Sequence, residues 1–225
     1  MVWIPAAAFL LRFRAGYTIE AVDRARREYR RIRTERRGPL LICANHLTLI
    51  DSAIVAWALG SPGWYLAHYS SLPWNVPERR NFAATLLQRA GAYLMKCLPI
   101  TRGGSRSDVA RVLAEFAHVL SRGDVGLVFP EAGRSRTGRV QVDDAAPGVG
   151  RVVRSLRGCP VLCVYVRGRH QTTFTDYPVP GERFRVALSL ISPTSEHGGL
   201  RGSRDISRQI LSELAAMERR YFDAR

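Results

Sequence analysis

Asn45-His46-Leu47-Thr48-Leu49-Ile50-Asp51 joins two apolar runs, Pro39-Leu40-Leu41-Ile42-Cys43-Ala44 before it and Ala53-Ile54-Val55-Ala56-Trp57-Ala58-Leu59 after it. A short branched apolar run, a polar turn and a second apolar run read as buried strand Leu40–Ala44, loop, and short helix Ser52–Leu59. The loop holds a histidine and, five residues on, a carboxylate. A carboxylate hydrogen-bonded to an imidazole holds it in one tautomer and makes it a better base. Taken alone, the heptapeptide also reads as a strand end with a helix-capping Asp51 and a hydrogen-bonded, half-buried His46.

Working outward, strands and helices alternate. Residues 17–37 read as one polar helix, crowded with arginines and carrying Ile19, Val22, Ala25, Tyr29 and Ile32 as an apolar stripe. Gly38-Pro39 ends it. Trp64–His68 reads as a second strand, Phe82–Met95 as a helix and Leu98–Thr101 as a short strand. Asp108–Leu120 is an amphipathic helix that Ser105 or Ser107 can cap. Val125–Phe129 is a strand stopped by Pro130, Val149–Leu156 a short helix, Pro160–Val166 a buried strand, Phe184–Ile191 an alternating strand and Ile206–Tyr221 a closing helix. This alternation predicts an α/β fold, a single domain with a mixed, largely parallel sheet flanked by helices. Residues 1–37 form an N-terminal apolar and basic helical segment, a possible membrane anchor, and residues 38–225 the main domain.

The chain has 225 residues, room for one medium domain with a real core. It carries 34 Lys+Arg against 19 Asp+Glu, a net charge of +15, and Lys96 is the only lysine. Such a surface attracts polyanions, either nucleic acid or an anionic membrane. No nucleic-acid-binding motif appears and the arginines are spread along the whole chain, so no nucleic-acid partner is expected. Met1–Leu11 is apolar and is followed by Arg12 and Arg14. It is shorter than the roughly 20 apolar residues a bilayer span needs, and it lacks the basic start of a signal peptide. It reads either as an interfacial helix on anionic lipid or as a helix packed on its own domain. Cys43, Cys97, Cys159 and Cys163 have no metal-ligand spacing and read as buried free thiols. No metal site and no cofactor are expected.

Two further stretches carry chemical groups. Phe129-Pro130-Glu131-Ala132-Gly133-Arg134-Ser135 follows a strand, where open α/β sheets place their sites. Leu98-Pro99-Ile100-Thr101-Arg102-Gly103-Gly104 puts Arg102 at the end of another. Two arginines at adjacent strand ends can hold one phosphate. Together and in this order, the three stretches resemble the glycerolipid acyltransferase family that makes phosphatidic acid from lysophosphatidic acid. The family's N-H-x-x-x-x-D block is matched by Asn45, His46 and Asp51. Its arginine after an apolar strand is matched by Arg102. Its F-P-E-G-T-R-S block is matched by Phe129, Pro130, Glu131, Arg134 and Ser135, with Ala132 and Gly133 in place of Gly-Thr. Cys159-Pro160-Val161 is a degraded counterpart of its Pro-Val element. The resemblance spans roughly residues 38–168.

The resemblance implies acyl transfer from acyl-CoA or acyl carrier protein to the hydroxyl of a lysophospholipid. His46 would be the general base and Asp51 would orient it. Arg102, Glu131, Arg134 and Ser135 would hold the acceptor, with Asn45, Phe129, Pro130 and Gly133 supporting the blocks. The expected partners are these substrates and an anionic membrane surface, at the cytoplasmic face, with the protein peripheral or monotopic. The altered Ala132-Gly133 pair leaves room for another lipid acceptor. Gly148-Val149-Gly150 starts like a dinucleotide loop but lacks the third glycine. Arg167, Arg169 and His170 follow a strand and could face an anionic donor; Trp3 and Trp74 could anchor at an interface. His68, His118, His170 and His197 have no ligand spacing.

Overall fold

The computed structural model describes residues 3–36, 38–79, 92–101, 103–131, 133–143 and 145–224. Its centre is a six-stranded mixed sheet. The strands are β1 (Thr18–Ile19), β2 (Leu40–Ala44), β3 (Trp74–Asn75), β4 (Val125–Val128), β5 (Val161–Gly168) and β6 (Arg183–Ile191), ordered β1-β6-β5-β2-β4-β3. Only β5 and β6 pair antiparallel. β2 and β5 are buried along their whole length, so they carry near-continuous apolar runs rather than alternation.

Side-chain parity along β2 divides the core. Leu41 and Cys43 face α5 (Arg106–Ser121), α6 (Pro147–Ser155) and α7 (Gly199–Asp223). Leu40, Ile42 and Ala44 face α1 (Trp3–Phe9), α2 (Val22–Glu35), α3 (Asp51–Leu59) and α4 (Pro62–Ala67). Two glycines permit close packing on the first face. A side chain on Gly126 would run into Phe116, and one on Gly150 would run into the Ser203 carbonyl of α7. The Gly150 N–H instead donates to Ser207 Oγ at 3.0 Å. The glycine-rich start of α6 is thus a helix-packing device.

Several expectations change. The arginine-rich helix starts at Val22, not 17, because Ala21 sits at φ +49° and Thr18–Ile19 join the sheet beside Arg183–Phe184. Trp64–Ala67 lie in helix α4 rather than a strand, with His68 as its C-cap; Ser61 caps its start by accepting from Trp64 N at 3.3 Å, and Pro62 occupies its first turn. Leu98–Thr101 forms no strand, although Cys97 and Ile100 bridge to Asn75 and Glu78 at the β3 edge. Of the expected helix Phe82–Met95, residues 82–91 lie outside the described residues; Ala92–Leu94 are helical. Ser105 caps α5 by accepting from Asp108 N. Cys43, Cys159 and Cys163 are buried free thiols, but Cys97 is only partly buried.

Lys96 is 2% exposed and has left-handed backbone (φ +55°). Its ammonium donates to Tyr69 O at 2.8 Å, Leu72 O at 3.1 Å and Asp124 Oδ1 at 3.1 Å. Burial lowers its pKa against the opposing pull of Asp124. Three converging acceptors suit a compact three-donor head better than a planar guanidinium, which accounts for a lysine here in an arginine-rich chain. Trp74 is buried and donates to Asp124 Oδ2, so it is not an interfacial anchor. Trp3 packs on the core of the α1 face.

Candidate active site

The parallel strands β2 and β4 end side by side, and their following loops meet. Leaving β2, the chain is first tied by Asn45, whose amide donates to Val166 O at 2.9 Å and accepts from Val166 N at 2.8 Å. The side chain extends the β2–β5 ladder where the backbone turns away. His46 therefore leaves a fixed point.

Asp51 occupies the first turn of α3 and is 3% exposed. Its Oδ2 accepts from Leu47 N, from Thr48 N at 2.7 Å and faces His46 Nδ1 at 3.0 Å; its Oδ1 accepts from the Thr48 hydroxyl. Three of the contacts aim donors at the carboxylate oxygens, the arrangement an ionised carboxylate needs, and an ionised Oδ2 facing Nδ1 calls for a fourth donor there. Nδ1 then carries the imidazole proton and Nε2 keeps its lone pair. The His46 ring stacks on Phe129 with centroids 3.9 Å apart and planes 12° from parallel. Phe129 directly follows β4, so the third block supports the ring of the first. Ser135 N also donates to His46 O at 2.9 Å.

A cavity of about 400 Å³ opens beside His46, lined mainly by apolar groups of Val76, Ile100, Leu113, Phe116, Leu127, Val149 and Val152, with Arg134 and Glu78 among its polar lining. It runs between the sheet and α5 and α6. Pro130 also lines it, and Glu131 and Gly133 follow, both half-buried. Arg134 does not stand free. It donates to Thr175 O at 3.2 Å and Asp176 Oδ1 at 2.6 Å, with its guanidinium 5.4 Å from the Phe174 ring centre. The Ser135 hydroxyl donates to Arg139 O and accepts from Arg139 N at 3.0 Å, closing its own turn. Arg102 and Ala132 lie outside the described residues.

The loop after β5 is the part of the site that sequence reading did not find. Thr175 N donates to Leu47 O at 3.0 Å and Leu49 N donates to Asp176 O at 3.1 Å. Nothing local marks Thr175 or Asp176, because the contacts that bring them to the site are to Arg134, Leu47 and Leu49, all far away in the chain. Arg167, expected near a donor, instead anchors this loop. It is 1% exposed and donates to Gln171 O, Thr172 O, the Tyr165 hydroxyl and Glu218. Arg169 pairs with Glu20 and His170 with Glu182. The Pro160-Val161 element sits at the opposite end of the sheet, where Pro160 O accepts from Leu41 N, and builds the sheet rather than the site.

A sequence model of the family described as Acyltransferase matches residues 23–167. The chain belongs to the acyltransferase family. Acyltransferase activity on lipids follows at that general level. No curated protein matches the chain. The match covers α2 through β5, and so includes the loops after β2 and β4; it stops short of Thr175 and Asp176. No group of residues able to hold a metal ion occurs among the described residues of this acyltransferase.

Proposed function

We propose that the protein transfers a fatty acyl group from acyl-CoA or acyl carrier protein to the hydroxyl of a lysophospholipid, foremost 1-acyl-sn-glycerol-3-phosphate, giving phosphatidic acid. The observation that carries this reading is the His46–Asp51 pair beside a mainly apolar cavity. His46 Nε2 takes the acceptor hydroxyl proton. The alcohol oxygen attacks the thioester carbonyl, and the thiolate leaves and is protonated. Asp51 offsets the charge that develops on the imidazolium. The acceptor is itself the nucleophile, so no protein acyl intermediate is needed. The acyl chain lies in the cavity between α5, α6 and the sheet. Arg134 meets the acceptor's anionic group, which competes with Asp176 for its guanidinium; Arg102 and Glu131 serve the same end of the acceptor.

The enzyme works at the cytoplasmic face of a membrane, bound peripherally or monotopically. No helix among the described residues is long and apolar enough to cross one. The side of α1 opposite buried Ile4 and the π-helical turn Leu10–Arg14 present Phe9, Leu10 and Phe13 to solvent next to Arg12 and Arg14. Exposed Phe174, Tyr177 and Val179 follow on the loop that touches the site. Tyr17 donates to Pro178 O, and Gly181 N to Ala15 O, so the two apolar segments are neighbours. Apolar side chains fringed by arginine suit an anionic interface.

Purified protein is given acyl-CoA with lysophosphatidic acid, other lysophospholipids or amino-acid-based lipids, and products are read by mass spectrometry. Phosphatidic acid formation that His46→Ala abolishes without loss of fold supports the reading. His46→Ala turning over like wild type overturns the mechanism. Acylation of another lipid alone overturns the acceptor.

A further inference from the structure

Away from this site, strand β6 has an open edge. Its outer neighbour β1 covers only Arg183 and Phe184. Thr18 N donates to Glu182 O and Glu20 N to Phe184 O, while Arg169 N, on the β5 side, donates to Arg183 O. Even-numbered residues of β6 therefore aim their N–H and C=O groups outward. β1 ends there and α2 turns away at Ala21, in left-handed backbone. The outward backbone groups of Val186, Leu188 and Leu190 have no hydrogen-bond partner among the described residues. The ladder to β5 runs from Arg185 to Ile191 in regular register, so this edge is straight pairing surface rather than a bulge.

The edge lies at the floor of a cavity of about 860 Å³, larger than the one at His46. α2 and α7, which cover opposite faces of the sheet, form its two walls. The rim is basic: Arg24, Arg27 and Arg31 from α2, Arg185 from β6 and Arg220 from α7, against Glu20 and Glu28. Glu28 is held by Arg31 and Glu20 by Arg185, whereas Arg24 and Arg27 form no ion pair among the described residues. The floor is apolar, with Val186, Leu188 and Met217.

We propose that this slot binds an extended acidic segment of a partner protein, which adds to the sheet as a strand beside Val186–Leu190. Free ladder groups provide backbone pairing, the apolar floor takes alternate side chains, and the arginine rim selects carboxylates. A second copy of this chain is the poorer occupant, because two-fold pairing of the edges brings two arginine rims together. The proposal is independent of the acyl-transfer reading and of His46.

The test uses the full chain and a fluorescent peptide of four Val-Glu repeats with blocked termini. Three controls accompany it: the Val-Lys counterpart, a Val-Glu peptide N-methylated at alternate residues, and the Arg24→Glu/Arg27→Glu protein. Binding is read by anisotropy and the edge by amide hydrogen exchange. The proposal expects saturable binding of the acidic peptide, slower exchange at Val186, Leu188 and Leu190, and no binding of the basic one. The charge-reversed protein should bind at least about tenfold more weakly, as expected from the loss of two rim charges. Equal binding of the N-methylated peptide overturns strand addition and leaves charge attraction alone. Absence of saturable binding, or dimers of the free chain that protect the same three amides, overturns it as well.

Discussion

Replacing Asp51 by asparagine separates the two things the carboxylate does. If the amide oxygen takes the place of Oδ2, it still accepts from Leu47 N, Thr48 N and His46 Nδ1, the three donors that converge there. The amide nitrogen then faces the Thr48 hydroxyl, which turns to accept instead of donate. No buried donor is orphaned and the imidazole tautomer is preserved. What disappears is the negative charge about 3.0 Å from the ring. Hydrogen bonds to a charged partner and Coulomb attraction at an effective dielectric near 20 together put that loss at about 2–4 kcal/mol in the transition state. At about 1.36 kcal/mol per factor of ten, kcat falls roughly thirty- to a thousandfold. Asp51→Ala behaves differently: Leu47 N and Thr48 N lose their acceptor at about 1–3 kcal/mol each, which lowers Tm by roughly 4–24 °C at 2–4 °C per kcal/mol. The assay is thiol release from acyl-CoA with lysophosphatidic acid, in parallel with thermal unfolding. Three of the four cysteines are buried, which keeps the protein's own thiol background low. Folded Asp51→Asn working within about threefold of wild type refutes the charge argument. An Asp51→Asn melting loss as large as that of Asp51→Ala refutes the hydrogen-bond assignment.

Lys96→Arg should lower stability by about 1–3 kcal/mol, since a larger planar head must enter a site shaped for three short contacts; denaturant midpoints check this, and an unchanged midpoint counts against the fit described. Glu20 has its pKa lowered: desolvation raises it, but the hydrogen bond and charge of Arg185, with Arg169 and Arg183, outweigh that. A lowered carboxylate pKa contributes stability above its ordinary value of 4.5, lost as pH falls through the lower folded value. Exchange of the Glu20 amide, which bonds Phe184 O, should therefore quicken in acid before the β2 and β5 amides do, and simultaneous quickening argues against a local clasp. Phe9→Ser/Phe13→Ser should cut binding to vesicles containing anionic phospholipid at least about tenfold while leaving the fold intact, because each buried ring is worth roughly 1.5–3 kcal/mol. Wild-type vesicle binding by that variant would place the membrane contact elsewhere.

The readings that held rest on short-range patterns. Leu40–Ala44 and Pro160–Val166 read as buried strands because strands covered on both faces are apolar throughout, and β2 and β5 are central. His46 and Asp51 read as a pair because they lie five positions apart in one loop, close enough to meet. Two of the misreadings involve partners far away in the chain. Thr18–Ile19 become a strand only because Arg183–Phe184 are there to pair with. Arg167 reads as a cation at a strand end that could face an anionic donor, yet Glu218, fifty-one positions later, draws it inside. Trp64–His68 look like a strand from their aromatic content, while Ser61 and Pro62 start a helix. That signal is local.

The same distinction explains why this sequence names a reaction more clearly than an acceptor. The proposed base is held largely by main chain. Leu47 N and Thr48 N fix Asp51, Ser135 N takes the His46 carbonyl, Thr175 N takes the Leu47 carbonyl, and Asp176 O takes Leu49 N. Main-chain contacts tolerate side-chain change, so the His–Asp geometry persists wherever the loops keep their path, and its few side chains are easy to recognise. The proposed acceptor end rests instead on individual side chains. Arg134 is shared with Asp176 and overlies Phe174, and both lie beyond the stretch that matches the family. In the proposed reaction an anionic acceptor takes Arg134 from Asp176, at a cost set by a 2.6 Å ion pair whose carboxylate is two-thirds exposed. Exposed pairs of this kind are worth about 1 kcal/mol or less, whereas a phosphate can engage a guanidinium through two charge-assisted bonds. On that proposal the exchange favours the phosphate, and Asp176 would act as a gate that an uncharged acceptor gains nothing by opening.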